Sequence, residues 1–432
     1  MALIIFILTL TLMMVSLIYI PKIYIFKRYV QTHWLIVLTG ALFMIIFGFI
    51  PMDHLIALMT DPLGMNPIKL ITLFIFLTII SLFLDEVGFF KWLAYVFINR
   101  VKGKQWMLFL SLYVLTSILT IFTSNDIIIL TLTPLIIYFS INVKINPLPY
   151  LFGILTASNT WSLMLMIGNP TNIYLASKVG IDFVEYFKVM WLPALTAGTL
   201  GFILISVIFR KDLNQTLNPI EGSVQLKEPV LVGIGLIHLL STIVLMALSN
   251  YIQIEMWVIT VLFGMSIIGI GLIYLKVKNL PLTPIIKTVQ RAPWDFIPMI
   301  LGMFILISAI SYSGYVDDFA NYLNMLDPVY GYGISSHIVS NLTNNQPMSM
   351  LYAEILISNL NDPNIYVRTY ASIIGSNTGV LLTPFGALAG LMWHQLLRKY
   401  DISLSVLKYI QTIAVTGFII LIGSLFVLSL VV

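Results

Sequence analysis

Long apolar runs recur along the whole chain and constrain its fold more than any other feature. They have the roughly 17–25 residues that a helix needs to cross a bilayer. These runs lie at about residues 2–20, 34–51, 67–84, 106–123, 149–167, 189–209, 229–249, 256–275, 294–313 and 405–432. Because 59% of the residues are hydrophobic and only 9% are charged, water cannot be the solvent for most of the surface. We therefore predict an all-α, multi-pass protein of the cell membrane with about 10–12 transmembrane helices.

Four further segments are shorter or interrupted by Asn, Gly, Pro, Ser and Thr. They lie at residues 124–141, 168–178, 334–360 and 366–396. Breaks at membrane depth leave backbone groups without partners unless those groups are buried in protein or face a wet cavity. The pattern predicts two re-entrant hairpins and two broken helices.

Lysine and arginine in short loops predict the orientation, because they are enriched on the cytoplasmic side. Three basic loops are expected there: Lys22/Lys27/Arg28, Lys91/Arg100/Lys102/Lys104 and Lys276/Lys278/Lys287/Arg291. Two acidic loops, Asp53–Asp61 and Asp317–Asp327, are expected outside. The N-terminus would then be outside, span 67–84 would run inward, and span 294–313 would run outward.

The two halves of the chain carry matching motifs. Gly88-Phe89-Phe90 corresponds to Gly314-Tyr315-Val316, Asn125-Asp126 to Asn344-Asn345, and Ser158-Asn159-Thr160 to Ser376-Asn377-Thr378. A glycine follows the last pair of motifs at the same spacing, as Gly168 and Gly386. Since the matching spans run in opposite directions, we predict an inverted repeat with the substrate site at its interface. The predicted division is residues 1–209, a cytoplasmic linker at 210–228, and residues 229–432.

The first of the interrupted segments, residues 124–141, contains an acid at membrane depth, where charged residues are rare. Ser124-Asn125-Asp126 forms the expected hairpin tip, whose amide and hydroxyl groups offer donors and acceptors to a substrate. A carboxylate at membrane depth is rare and is a functional-site candidate by default. We interpret Asp126 as the coupling residue for a proton or cation. The alternative is that Asp126 lies at the membrane interface and caps the next helix.

Asp85 and Glu86 are further candidates for coupling, although they end an apolar run and could lie at the headgroup level near Lys91. The remaining candidates are polar residues of the two tips and the two breaks, where half-helix ends would direct their dipoles at a ligand. The complete substrate-binding prediction is Ser124, Asn125, Asn159, Thr160, Asn169, Thr171, Asn344, Asn345, Asn377, Thr378 and Thr383. A single polar residue in a span is usually helix-to-helix glue, but four clusters at matched spacing favour a site.

Several other classes of function have little support. The chain has no cysteine, which excludes thiolate metal sites and cysteine nucleophiles. Its five histidines show no metal-ligand spacing and no catalytic constellation, so neither an enzyme nor a cofactor is predicted. A net charge of +4 spread over basic loops does not indicate nucleic-acid binding.

The motifs resemble those of the arsenite efflux permeases (the ArsB family) of the wider ion-transporter superfamily. The matching pieces are Leu84-Asp85-Glu86-Val87-Gly88-Phe89-Phe90, Asn125-Asp126 with Leu132-Thr133-Pro134, Arg291-Ala292-Pro293-Trp294, Asn344-Asn345-Gln346-Pro347, and Gly375-Ser376-Asn377 with Thr383-Pro384-Phe385-Gly386-Ala387-Leu388-Ala389. The resemblance implies proton-coupled efflux of hydroxides such as arsenite or antimonite. The expected partners are a small-molecule or ion substrate and membrane lipids, with a soluble ATPase subunit and a homodimer as further options.

Two departures from that family leave alternatives open. Ser158-Asn159-Thr160 and Gly168-Asn169-Pro170 are more similar to sodium/proton antiporters and sodium-coupled dicarboxylate (citrate-type) symporters of the same superfamily. Against a dianionic substrate, the first tip is acidic and none of the four clusters contains a basic residue, Lys178 being the nearest. A passive channel or a membrane scaffold is the remaining alternative, but a scaffold would not need paired helix breaks.

The predicted orientation can be tested with single cysteines in this cysteine-free chain. With a membrane-impermeant thiol reagent added outside intact cells, we expect labelling at Asp317→Cys and none at Lys278→Cys, because only the first loop should face outward. Labelling at position 278 with none at 317 would contradict the inverted arrangement.

Overall fold

The computed structural model describes residues 1–25, 28–60, 66–99, 103–217, 225–226, 228–358, 360 and 362–432. Six charged residues of the predicted loops and linker lie outside the described residues: Lys27, Asp61, Arg100, Lys102, Glu221 and Lys227. The part of the linker at 210–228 that is described forms a short helix and a short strand. The division of the chain into two halves at this linker stays a prediction.

The chain opens with two apolar helices and a small hairpin of strands. These elements are α1 (Ala2–Tyr19), β1 (Lys22–Ile25), β2 (Arg28–Gln31), α2 (Thr32–Ile46) and α3 (Met52–Thr60). Strands β1 and β2 pair antiparallel, with Lys22 opposite Gln31.

A first series of elements follows, which ends at residue 208. It contains α4 (Pro67–Glu86), α5 (Phe89–Asn99), β3 (Gly103–Lys104), α6 (Gln105–Phe122), α7 (Asn125–Val143), α8 (Leu148–Trp161), a 3₁₀ turn (Met166–Gly168), α9 (Pro170–Val179) and α10 (Phe183–Ile208). Helix α4 begins at Pro67 because Asn66 caps it, accepting a hydrogen bond from the Lys69 amide at 2.9 Å. Helix α9 ends at Gly180, whose φ of 88° suits glycine at a helix C-terminus.

The central elements connect this series to a second one. They are α11 (Arg210–Leu213), β4 (Thr216–Leu217), α12 (Pro229–Ala247), α13 (Ser249–Ile252), α14 (Met256–Val277) and α15 (Thr283–Arg291). Strand β4 pairs with β3, which ties the end of the first series to the start of α6.

The second series repeats the order of the first. It contains α16 (Phe296–Tyr312), α17 (Tyr315–Asn324), α18 (Tyr330–Thr343), α19 (Asn345–Ile357), α20 (Ile365–Thr378), 3₁₀ turns (Gly379–Leu381 and Pro384–Gly386), α21 (Leu388–Lys399) and α22 (Val406–Val431). The 3₁₀ turn before α21 lies 218 residues after the one before α9, and α21 begins 218 residues after α9. Gly88 and Gly314, at the same place in each series, both have positive φ, 84° and 80°. The predicted repeat is therefore present at the level of single elements.

The corresponding first helices run in opposite directions. Arg291, just before α16, contacts Asp85 at the end of α4. At the other end of α16, the Tyr312 ring contacts the ring of His54 in α3, the helix that precedes α4, in a tilted arrangement with ring centroids 5.3 Å apart. The end of one helix is thus beside the start of the other, as an inverted repeat requires. Which side is cytoplasmic stays a prediction.

The helices form two packed groups. The peripheral group consists of α1–α4, α12 and α14–α16, in which α2 packs on α16 and α4 on α14. The central group consists of α6–α10 and α18–α22, while α5 and α17 connect the two groups. Within the central group, α6 and α7 form one hairpin, and α18 and α19 form the other. Helix α9 packs on α19 and α21 packs on α7, so each broken helix contacts the hairpin of the other series.

Nine helical segments in the described part of the chain are long and apolar enough to cross a membrane. They confirm the predicted all-α membrane fold. Two predicted segments of the first series differ in continuity from the observed helices. The span predicted at 149–167 ends as a helix at Trp161, because its last turn gives way to the break before Pro170. The segment at 124–141 is one regular helix, α7, which contains Pro134 at the cost of one backbone hydrogen bond.

The breaks depend on two glycines that have no room for a side chain. A Cβ at Gly168 would overlap the Ser162 carbonyl oxygen, and one at Gly386 would overlap backbone atoms of Gly379. Gly168→Ala and Gly386→Ala should each cost about 1–3 kcal/mol of stability, because backbone cannot move aside as a flexible side chain can. We expect a lower thermal unfolding temperature of the purified protein for both variants. Gly269→Ala is the control, since nothing lies within 4 Å of its added methyl group, and it should unfold like wild type.

Candidate functional site

The tip of hairpin 1, formed by α6 and α7, lies level with the break of the neighbouring helix. Ser124 is the extended residue before α7, and Asn125 begins that helix. The Asn125 side chain donates a hydrogen bond from Nδ2 to Asn159 Oδ1 at 3.2 Å and accepts one from the Asp126 amide at 2.9 Å. Since α8 is 14 residues long, Asn159 lies about 16 Å from its start, which puts the tip deep between the membrane faces.

The first break, residues 162–169, separates α8 from α9. In the last turn of α8, Asn159 Nδ2 donates to the Leu155 carbonyl at 2.8 Å and Thr160 Oγ1 donates to the Thr156 carbonyl at 2.8 Å. Asn169 caps α9 by accepting from the Thr171 amide at 3.2 Å. Asn169 thus partners an amide in the first turn of α9 that the break would otherwise leave free, while the side chains of Asn159 and Thr160 bond back to carbonyls of their own helix.

Hairpin 2, formed by α18 and α19, is held against the break between α20 and α21. Asn344 at its tip has φ 75° and ψ 154°, a strained backbone conformation that residues other than glycine rarely adopt. Its Nδ2 donates to the Phe385 carbonyl at 3.1 Å. Asn341 donates to the Gly379 carbonyl at 2.9 Å and accepts from Thr383 Oγ1 at 2.6 Å.

Helix boundaries shift the predicted pairing of the two tips by one residue. Asn344 precedes α19 and Asn345 is the first residue of that helix, as Ser124 precedes α7 and Asn125 is its first residue. The structural counterpart of Asn125 is therefore Asn345, and that of Asp126 is Gln346. The sequence pairing of Asn125 with Asn344 rested on residue type, which does not reveal where a helix begins.

Asn377 connects the two series. Its Oδ1 accepts hydrogen bonds from Ser162 Oγ and Asn169 Nδ2, both at 2.9 Å. Its Nδ2 donates to Asn172 Oδ1 at 2.7 Å and to the Ile373 carbonyl at 2.9 Å. Beside it, Ser376 Oγ donates to Thr171 Oγ1 at 3.2 Å. The side chain of Asn377 is therefore fully hydrogen-bonded to protein in this conformation.

The matching triplets make the same local hydrogen bonds. Asn159 and Asn377 each donate to the carbonyl four residues earlier, and so do the hydroxyl groups of Thr160 and Thr378. Thr378 Oγ1 also lies 3.0 Å from His337 Nδ1 of hairpin 2. The spatial correspondence of the two Ser-Asn-Thr motifs agrees with their match in sequence.

Three buried polar atoms at the two tips have no hydrogen-bond partner within the described residues. They are Ser124 Oγ, Asn345 Oδ1 and Gln346 Oε1. All three residues are less than a tenth exposed. Buried polar groups are nearly always hydrogen-bonded, so these unpaired atoms indicate where a ligand or water would bind.

Asp126 is part-buried in the first turn of α7. No hydrogen bond or ion pair of its carboxylate occurs among the residues that the structure covers. Asp85 and Glu86, in contrast, lie apart from the tips and contact Arg291. The structure therefore brings together the predicted residues of the tips and breaks but separates this pair of acids from them.

Among the residues of this network that were absent from the predicted set are Ser162, Asn172, Asn341 and Gln346. Three of them follow or precede a predicted residue by only a few positions in the interrupted segments. Their polarity at membrane depth would therefore have been enough to include these three residues in the prediction. The role of Ser162 could not be predicted from the sequence, since its contact with Asn377 joins residues 215 positions apart.

The sequence profile of the citrate transporter family, CitMHS, matches residues 23–375. The chain belongs to this family. It is accordingly a secondary transporter and a multi-pass membrane protein, not an enzyme.

This transporter is similar to proteins described as arsenical pump membrane proteins. The one from Escherichia coli is 27% identical over 353 residues, 78% of this chain and 81% of that protein. The one from Yersinia enterocolitica is 28% identical over 357 residues, with the same coverage. Among solved structures, the crystal structure of the Alcanivorax borkumensis YdaH transporter, reported to have an unusual topology, covers 99% of this chain and 97% of its own, with 13% identity and a TM-score of 0.55. That likeness concerns the fold alone.

The network around Asn377 predicts a large effect of its removal. Asn377→Ala leaves Asn169 Nδ2 and Asn172 Oδ1 without a partner, while Ser162 Oγ keeps its hydrogen bond to the Asn159 carbonyl. Each buried unpaired group costs about 1–3 kcal/mol. We expect a marked fall in the thermal unfolding temperature of the purified transporter. Asn250→Ala is the control, because that exposed side chain makes one hydrogen bond, to Asp182 at 3.2 Å. Equal unfolding temperatures for the two variants would contradict the connecting role of Asn377.

Proposed function

We propose that this transporter exports a small uncharged hydroxide, such as arsenite or antimonite, in exchange for protons. The observation that carries the proposal is the surplus of unpaired acceptor atoms at the two hairpin tips. An uncharged trihydroxide presents three hydroxyl donors, which match Asn345 Oδ1, Gln346 Oε1 and the hydroxyl group of Ser124. The names of the arsenical pump relatives point in the same direction.

The charges around the tips disfavour the carboxylate alternative. In the described ranges, no hydrogen bond or ion pair joins a lysine or arginine side chain to either tip or either break. Lys178 pairs with Glu354 at 3.3 Å, and Arg368 pairs with Asp362. A citrate-type anion brings two or more negative charges into a region of low dielectric, and cations already held in ion pairs are poorly placed to offset them.

Asp126 is proposed to couple the solute to the proton. The positive end of the α7 dipole favours its ionised form, whereas membrane depth makes a charged carboxylate costly. An ionised carboxylate accepts hydrogen bonds from solute hydroxyls, while the protonated form has lost an acceptor and donates instead. Proton and solute then compete for one site, as exchange requires.

The proposal assigns the solute contacts to the tips and a supporting role to the breaks. Asn125 and Asn344 hold the tips against Asn159 and the Phe385 carbonyl. Their loss should displace the unpaired acceptors without exposing a charge. A second copy of the chain and an ATPase subunit are compatible with this proposal but do not enter it.

The Asp126→Asn variant tests the coupling. It keeps the shape of the side chain and removes its titration, so solute exchange should persist while accumulation driven by a pH gradient disappears. Transport of arsenite is measured in everted vesicles with and without an imposed gradient, with citrate and sodium tested in parallel. Asp317→Asn is the matched control, because it neutralises an exposed acid in the first turn of α17. Wild-type uphill flux in Asp126→Asn would remove this residue from the mechanism, and sodium-driven citrate uptake would favour the symporter.

The Asn125→Ala and Asn344→Ala variants test the site. Loss of the hydrogen bond from Asn125 to Asn159, or from Asn344 to the Phe385 carbonyl, should weaken solute affinity about 3- to 10-fold, with the protein still inserted and folded. The concentration dependence of exchange gives this value. Unchanged affinity in both variants would reduce the tips to a structural role.

A further inference from the structure

A cluster of two acids and one arginine lies where the two helix groups meet. Asp85 and Glu86 end α4, and Arg291 ends α15. Arg291 donates to Asp85 Oδ2 at 2.7 Å and also to Glu86 Oε1. The acid side chains are 9% and 12% exposed, against 38% for Arg291. Because removing one partner of a buried ion pair is costly, the guanidinium keeps both carboxylates in place.

The second oxygen of Asp85 reaches the central group. Thr131 Oγ1, in α7, donates a hydrogen bond to Asp85 Oδ1 at 3.0 Å. One carboxylate therefore binds α15 through one oxygen and hairpin 1 through the other. Thr131 follows Asp126 by five residues, about 7.5 Å along the helix, so this contact holds the limb that carries the candidate coupling residue.

Alternating access in inverted-repeat transporters requires one group of helices to move against the other. A polar contact between the groups must break and reform during that motion. We propose that Arg291 is a positioning residue for transport, which fixes Asp85 so that Asp85 latches hairpin 1 to the peripheral group through Thr131. The latch is closed in the conformation described here. It is independent of the identity of the solute and so goes beyond the proposed function.

The chain offers a matched pair of substitutions for the latch. Thr131→Val removes the hydrogen bond to Asp85 and keeps the shape of the side chain. Thr133→Val makes the same change two residues later, where the hydroxyl group is buried and has no partner among the described atoms. Only the first variant should open the latch.

A single cysteine can report the opening. Ser81 lies one helical turn before Asp85 on the same face of α4 and is 1% exposed. Ser81→Cys in the cysteine-free chain should react slowly with an impermeant thiol reagent, added in turn to each face of proteoliposomes. Thr131→Val should speed the reaction about tenfold from one face, as expected for loss of a hydrogen bond to a charged group. Thr133→Val should leave the rate within about twofold.

Equal labelling rates in all three backgrounds, or equal acceleration by both valine variants, would overturn the latch. Since no solute is needed, these results are independent of whether arsenite is transported.

The role of Arg291 is tested by a double-mutant cycle on solute exchange. Arg291→Gln leaves two buried acids without their cation and should slow exchange at least about tenfold. Arg291→Lys should be intermediate, since an ammonium lacks the planar fork of guanidinium. Asp85→Asn combined with Arg291→Gln returns the cluster to its wild-type net charge, because one acid and one base are lost together, and it keeps a hydrogen-bonding pair. The double variant should therefore be faster than Arg291→Gln alone. Additive losses in the double variant would show that the pair does not act as a unit.

Discussion

The hydrogen bonds of Asn377 are the constraint on which the centre of this transporter depends. Two helices break at membrane depth, where no water is available to partner the freed backbone and side-chain groups. Asn377 of the second series provides both acceptor and donor groups to Ser162, Asn169 and Asn172 of the first. Its counterpart Asn159 instead accepts from the tip of hairpin 1. The two breaks are therefore stabilised by each other and by the hairpins.

This mutual support explains the packing of the hairpins. Helix α9 lies on α19, and α21 lies on α7, so each hairpin is bounded by the broken helix of the other series. Asn344 and Asn341 fasten hairpin 2 to residues 379–385, which leaves the next two side chains, Asn345 and Gln346, with unpaired oxygens. The polar groups that fasten the hairpin are hydrogen-bonded, and they surround a few acceptor atoms that have no hydrogen-bond partner among the described residues. That contrast distinguishes the proposed solute contacts from the framework that supports them.

Charges are arranged differently from uncharged polar groups. The ion pairs Lys178–Glu354 and Arg368–Asp362 lie within the central group, and Arg291 pairs with Asp85 and Glu86 at its border. Of the three acids predicted to couple transport, Asp85, Glu86 and Asp126, only Asp126 has no ionic partner in the described part of the molecule. A buried pair is neutral or nearly so, whereas an unpaired acid at membrane depth must change state or bind something. The same residue type therefore serves as a latch at residue 85 and as a candidate coupling group at residue 126.

The sequence by itself determined the membrane fold, the two interrupted helix pairs and the repeat, because hydrophobicity and helix-breaking residues act locally along the chain. It also singled out nearly all polar residues of the tips and breaks. Only the tertiary structure decided which of them meet. Asn377 and Ser162 are 215 residues apart in the sequence, and Arg291 and Asp85 are 206 apart. At such separations along the chain, composition and motif spacing do not indicate which residues are in contact. Hence Asp85 and Glu86 were grouped with Asp126 in the sequence, and only packing, which brings Arg291 to the end of α4, separated them.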